Sequence, residues 1–299
     1  MTEAEGIMDR EDGRDFALEY RLRKMDPELH RRFTDGVFGL QKVLSNYKLI
    51  FPEYTDHTEL HSLTVIDFCN RLIGRQIDSL NKDEIYVLLM GCYFHDTGMG
   101  VTRKDFEEFS RQIDFGDYFK SHPNARPEEQ IRSFHNEYSG LFIRKYAEFF
   151  EIPSPAHLEA VIEISRGHRK TDLRDERVYP LALPTPDGST ICLPYLSALL
   201  RLADEIDVTA ARNPILLYDI EAITDEHQVG EYRRHMAVRK LELTEDAFTL
   251  RFDDSDAVLD EQILRMAEKM QKTLDDCRAA VNGRTPYVIT QREVRLRAL

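Results

Sequence analysis

Four histidines and two aspartates recur along the chain at intervals of roughly one helix and one loop: His61, His95 with Asp96 beside it, His135, His168 and Asp204. The pair His95–Asp96 is the sharpest signal. The apolar run Ile85 to Phe94 leads straight into it, and Gly98 and Gly100 follow. Desolvating an imidazole and a carboxylate side by side costs roughly several kcal/mol unless something pairs them. A metal ion would do so, and nitrogen with carboxylate ligands suits borderline first-row divalent ions. Six such ligands can hold two ions with a carboxylate between them. Two ions about 3.5–4 Å apart can clamp an attacking hydroxide and a phosphoryl oxygen in one in-line displacement.

The elements that must carry these residues read as helices. A helical pattern runs from Pro27 to about Tyr47. A second is predicted over Glu59–Gln76 after the cap-rich Thr55, Asp56 and Thr58, with Val65, Cys69 and Leu72 in its apolar stripe. His61 precedes Val65 by four and lies on that face. A third helix, Asp83–Phe94, delivers His95 and Asp96 at its C-terminal end. His135 falls in a helix over 127–150, His168 just after one over Pro155–Arg166, and Asp204 in one over Pro194–Val208. Between the last two, "YPLALPTPDGSTICLPY" predicts a β-hairpin around PDGS. After Pro214 the pattern changes. "PILLYDI" reads as a strand, and "MAVRKLEL" and "AFTLRF" as a hairpin around Thr244–Asp246. Ile263, Met266, Met270, Leu274, Cys277 and Val281 mark an amphipathic helix, and "PYVITQREVRL" a closing strand. The expectation is a mainly α protein: a mobile arm over 1–20, a helical metal-site domain over 21–213, and a small α+β subdomain over 214–299.

Composition narrows the partners. A formal net charge of −14 over 299 residues argues against a protein that grips duplex nucleic acid. It leaves room for a small anionic substrate held by metal and local cations. The longest apolar run, "IYVLLMGCYF", is too short to span a bilayer. The start, "MTEAEGIMDREDGRDF", lacks the basic and apolar regions of a signal peptide. Four dispersed cysteines with no CxxC pair point to no disulfide framework, so a reducing cytoplasm is the expected location.

The words around the candidate ligands, "TDHTELHSLTVI", "FHDTGMG", "SFHNEYSG", "RGHRK" and "YLSALLRLADEIDVTAARNP", resemble the HD superfamily of metal-dependent phosphohydrolases. Within it they most resemble the HD domains that accompany chaperone-type ATPases. The resemblance spans roughly residues 50–215, and the α+β tail looks like theirs too. It implies an HD-type helical bundle whose primary metal site is His61, His95, Asp96 and Asp204. Asp96 would bridge to a second ion held by His135 and His168. It also implies one or two divalent ions (Mn, Fe, Mg, Ni or Co) and hydrolysis of a phosphate ester or anhydride of a nucleotide by water that the metal acidifies. A homo-oligomer or an ATPase partner is expected on the same ground. Met99 stands where other branches carry a lysine, and the long "HHExxDGxGYP" motif is absent, which argues against a cyclic di-GMP substrate.

Further residues gather round this set. His57 is four before His61 and could act as a substrate-facing acid or as a cap. Arg166, Arg169 and Lys170 form the local cationic cluster for a phosphate, against the commoner meaning of a surface charge run. Arg201, three before Asp204, suits a phosphate or Asp204 itself, and Asp207, three after it, suits a supporting role behind a ligand. His30, His122, His157, His227 and His235 read as surface residues. Two rivals share the sequence: a di-iron oxygenase on the same ligands, and a non-catalytic module that senses a nucleotide or docks a partner.

Overall fold

A computed structural model describes residues 17–45, 59–169, 171–209, 226–253 and 257–299. Helix α1 (Ala17–Met25) starts inside the stretch expected to be an arm, because Leu18 and Leu22 are fully buried. The strand expected over 214–220 and the cap-rich approach at 55–58 lie outside the described residues.

Apolar periodicity accounts for the next helices. In α2 (Pro27–Ser45), Leu29, Phe33, Val37, Leu40 and Leu44 are buried at three- and four-residue steps. In α3 (Glu59–Ile73), His61, Val65, Cys69 and Leu72 are buried together, and a 3₁₀ segment, Gly74–Ser79, replaces the last turn expected. Helix α4 (Lys82–Phe94) is buried all round, from Asp83 to Phe94. A capping box starts it, with the Asn81 side chain accepting from Asp83 and Glu84 amides and Glu84 reaching back. It packs against α1, α2 and α3 and so forms the axis of the bundle.

A 3₁₀ turn, Thr97–Gly100, follows His95 and Asp96. Two short helices, α5 (Arg103–Phe109) and α6 (Tyr118–Ser121), then lead to α7 (Pro127–Tyr146) and α8 (Pro155–Gly167). The expected hairpin is present as β1 (Leu183–Pro184) and β2 (Thr190–Ile191), with Leu183 opposite Ile191. Helix α9 (Leu193–Glu205) packs on α3, α4 and α8.

The C-terminal part is α+β. Helix α10 (Glu226–Ala237) precedes β3 (Val238–Leu243), which pairs antiparallel with β4 (Ala247–Phe252). Helix α11 (Ala257–Val281) buries Ile263, Met270, Leu274, Cys277 and Val281 and packs on α9. Strand β5 (Glu293–Ala298) lies parallel to β4, with Leu250 opposite Leu296. It begins later than the sequence pattern predicts. Over 288–289 side chains take the backbone groups instead: Gln76 exchanges hydrogen bonds with Val288, and Asn282 with Ile289. The two parts share one apolar core that runs from Leu18 to Ile289. Tyr287 stacks on Tyr195 at 4.2 Å and donates to Glu84 at 2.6 Å.

Candidate metal centre

Helix ends and a helix break set the site. His95 caps the C-terminus of α4 and His168 that of α8. His135 sits mid-helix in α7, directly after Phe134, whose backbone (φ −125°, ψ 18°) leaves the helical region. In each case the imidazole Nδ1 turns back to the carbonyl three residues earlier: His95 to Cys92 at 2.9 Å, His135 to Arg132 at 2.8 Å, His168 to Ser165 at 2.5 Å. A carbonyl only accepts, so each Nδ1 carries the proton and each Nε2 faces inward. His61, on α3, follows the same rule through a carboxylate, its Nδ1 lying 2.7 Å from Asp207 Oδ2.

The inward atoms converge on Asp96. Its Oδ2 lies 3.2 Å from His95 Nε2 and 3.6 Å from His61 Nε2. Its Oδ1 lies 3.4 Å from His135 Nε2 and 3.9 Å from His168 Nε2. Two overlapping groups result, His61–His95–Asp96 and Asp96–His135–His168, each with its ligand atoms within 4.8 Å of one another. Asp204 Oδ1 joins the first group at 3.2 Å from His61 Nε2. The five residues of the two groups are buried, while the Asp204 side chain is 25% exposed.

The charges in this cluster favour a cation. His135 and His168 face each other Nε2 to Nε2 at 2.9 Å. Burial, with the charge of Arg169, holds His135 well below the ordinary imidazole range. Burial, with the neighbouring His95, pushes His168 down to about 4. Both rings are thus neutral at neutral pH and turn bare nitrogen lone pairs on each other, an arrangement that a shared cation relieves. In the other half, burial pulls His95 down, but the charges of Asp96 and Asp204 outweigh it and lift His95 to about 9. Burial raises Asp204, but the His61 hydrogen bond and the His95 charge hold it well below the carboxylate range. Two carboxylates and four imidazoles in a closed space form a donor set that fits divalent metal.

Close packing fixes the turn that carries the pair. A Cβ on Gly98 would stand 2.1 Å from the His135 carbonyl oxygen and 2.8 Å from the Ser139 amide nitrogen. Ser139 Oγ accepts from the Gly98 amide at 2.8 Å and donates to the His95 carbonyl at 2.7 Å. Ser139 was not among the expected site residues, although it lies one helical turn after His135.

The predicted cations separate. Arg166 is engaged by Glu137 at 2.7 Å and Glu163 at 2.9 Å. Arg201 is buried and donates to the Gly167 and Thr171 carbonyls. The Arg169 guanidinium has no hydrogen bond or ion pair among the described residues. With Arg166, Phe134, Asn136 and Glu137 it lines an open cleft of about 670 Å³ beside the His135–His168 half. His57 and Lys170 lie outside the described residues. The surface reading fails for two histidines: His157 is buried between Ser154 and Asp83, and His235 is also buried. His157 shows apolar neighbours in sequence but no sign of Asp83, which comes from another helix.

The HD-CE family matches residues 51–287. The chain belongs to the HD-CE family. An HD-type domain with buried His/Asp groups able to hold a metal ion is compatible with a metal-dependent hydrolase. No curated protein and no solved structure matches this HD-CE chain. No helix among its described residues is long and apolar enough to cross a membrane.

Proposed function

We propose that this HD-CE protein is a metal-dependent phosphohydrolase that cleaves a phosphate ester or anhydride of a nucleotide. The observation that carries the reading is the division of Asp96, one oxygen toward His61 and His95 and the other toward His135 and His168. His61, His95, Asp96 and Asp204 would hold one divalent ion, and Asp96, His135 and His168 a second. Bound there, such ions supply Lewis acidity and acidify water for attack on phosphorus. The protein's own contribution is positioning. Nδ1 hydrogen bonds fix all four rings before any substrate arrives, so no reorganisation is needed at the reaction. Arg169, which lines the cleft, would receive phosphate oxygens. Arg166 is held by two carboxylates and shapes the cleft floor. Manganese is the first metal to try, and a chaperone-type ATPase or a second copy of the chain is the partner class that the family resemblance supports.

The test replaces His95 and Asp96 together by alanine and assays a nucleotide panel with manganese, magnesium, iron, nickel and cobalt. Phosphate release by the native protein and none by the double variant is expected. Equal turnover by the two would end the reading. A coloured iron protein that consumes dioxygen would put the oxygenase in its place. Nucleotide binding without turnover would put the sensing module there.

A further inference from the structure

Arg201 stands on α9 three residues before Asp204, yet its guanidinium turns away from that carboxylate. Its Nε donates to the Gly167 carbonyl at 2.7 Å. Its Nη2 donates to the Thr171 carbonyl and to Thr171 Oγ1, both at 2.9 Å. Tyr179 donates to that same hydroxyl at 2.9 Å. Gly167 and Thr171 bracket His168, so one buried guanidinium grips the chain on both sides of the ligand. The approach is close: a Cβ on Gly167 would stand 2.9 Å from Ser197 on α9. Helix α9 is tied in turn to the C-terminal part, with Glu205 2.9 Å from Lys269 of α11.

We infer that Arg201 is a positioning residue for the second ion, holding His168 in place from the same helix that supplies Asp204 to the first. Farther along the loop Leu173 is buried and Arg284 donates to the Arg174 carbonyl, but beside the ligand the amides of the described residues make only local bonds. Arg169 and Thr171 amides bond only to carbonyls two or three residues back, which shapes a turn without fixing it to the bundle. The guanidinium supplies that attachment, and its planar fork can span both carbonyls where an ammonium cannot. One helix thereby couples two half-sites: a shift of α9 moves Asp204 and, through Arg201, His168.

Electrostatics and positioning make opposite predictions here. A guanidinium near a cation site repels the cation, so removing its charge by Coulomb's law alone tightens binding. Removing an outer partner that orients a ligand weakens metal binding by about 10- to 100-fold. The inference rests on the two-ion reading of the site.

The experiment titrates manganese into metal-free native protein, Arg201→Met, Arg201→Lys and Thr171→Val by calorimetry. Paramagnetic resonance follows the spin coupling between two bound ions. The native protein is expected to bind two ions. Arg201→Met should keep first-ion affinity within about threefold and lose second-ion affinity by about 10-fold or more, with the coupled signal gone. Arg201→Lys should recover part of that loss, and Thr171→Val should show a smaller one in the same half-site. If Arg201→Met does not fold, by circular dichroism, the other two variants decide. Native second-ion affinity in every folded variant, or tighter binding in Arg201→Met, overturns the inference. A native protein that binds only one ion overturns the two-ion reading itself.

Discussion

His61 Nδ1 and Asp207 Oδ2 lie 2.7 Å apart across 146 residues of chain, both buried. The carboxylate fixes the tautomer and leaves Nε2 to face His95 and Asp204. Asp207→Ala is therefore expected to weaken the first ion by about 10- to 100-fold. Asp207→Asn keeps an accepting oxygen and should cost less. Competition against a fluorescent chelator measures both. First-ion affinity unchanged in Asp207→Ala would show that the ring needs no such support.

Gly98 is the tightest point of the site. An alanine there meets the His135 carbonyl and the Ser139 amide, both backbone atoms of α7 that cannot rotate aside. The expected cost is about 3 kcal/mol or more. Thermal unfolding should fall by about 10 °C. A fall under about 2 °C would mean that α7 and the turn are loosely packed.

What the sequence made legible follows from what is local. The apolar stripe of α2, the buried run before His95 and the PDGS hairpin each depend on neighbours in the chain, and each could be read directly. The ligand order could be read because one helix or helix end supplies each ligand. The partners could not. Arg201 suits a phosphate or Asp204 by sequence because nothing near it in the chain shows that Gly167 and Thr171 take its donors. Arg166 looked free because Glu137, one of its two carboxylates, comes from α7. Helix α10 has no clear signal in the sequence because it packs on β3 and α11, which come after it in the chain. Strand β5 begins later than expected because Tyr287, Val288 and Ile289 are strand-favouring residue types, while Gln76 and Asn282 take the backbone groups of Val288 and Ile289.

Asp83 gives the fold an acid limit away from the metal centre. Burial raises its carboxyl, but hydrogen bonds from His157 at 2.9 Å and from Ser189, with Lys82 3.7 Å away, outweigh this and hold it below the ordinary range. A group depressed on folding stabilises the native state at pH values above its unfolded pKa, about 3.9 for aspartate. That stability is lost as pH falls through the folded value. Asp83→Asn should thus be less stable than native protein at pH 7. The gap in urea unfolding should narrow from about pH 5 downward. A gap independent of pH would show that the charge on Asp83 contributes nothing.

Asp96 is the one residue common to both half-sites, and metal-linked stability should reveal it. An ion that binds only folded protein stabilises it by about 2.7 kcal/mol at 100 times its Kd. Saturating manganese should therefore raise the native melting temperature by about 5–10 °C, and a chelator should reverse the rise. His168→Ala leaves His61, His95, Asp96 and Asp204 intact, so part of the rise should survive. Asp96→Ala takes one oxygen from each half and should abolish it. The same rise in Asp96→Ala as in native protein would mean that the ions bind elsewhere, and that the convergence of four imidazoles on this carboxylate serves the fold alone.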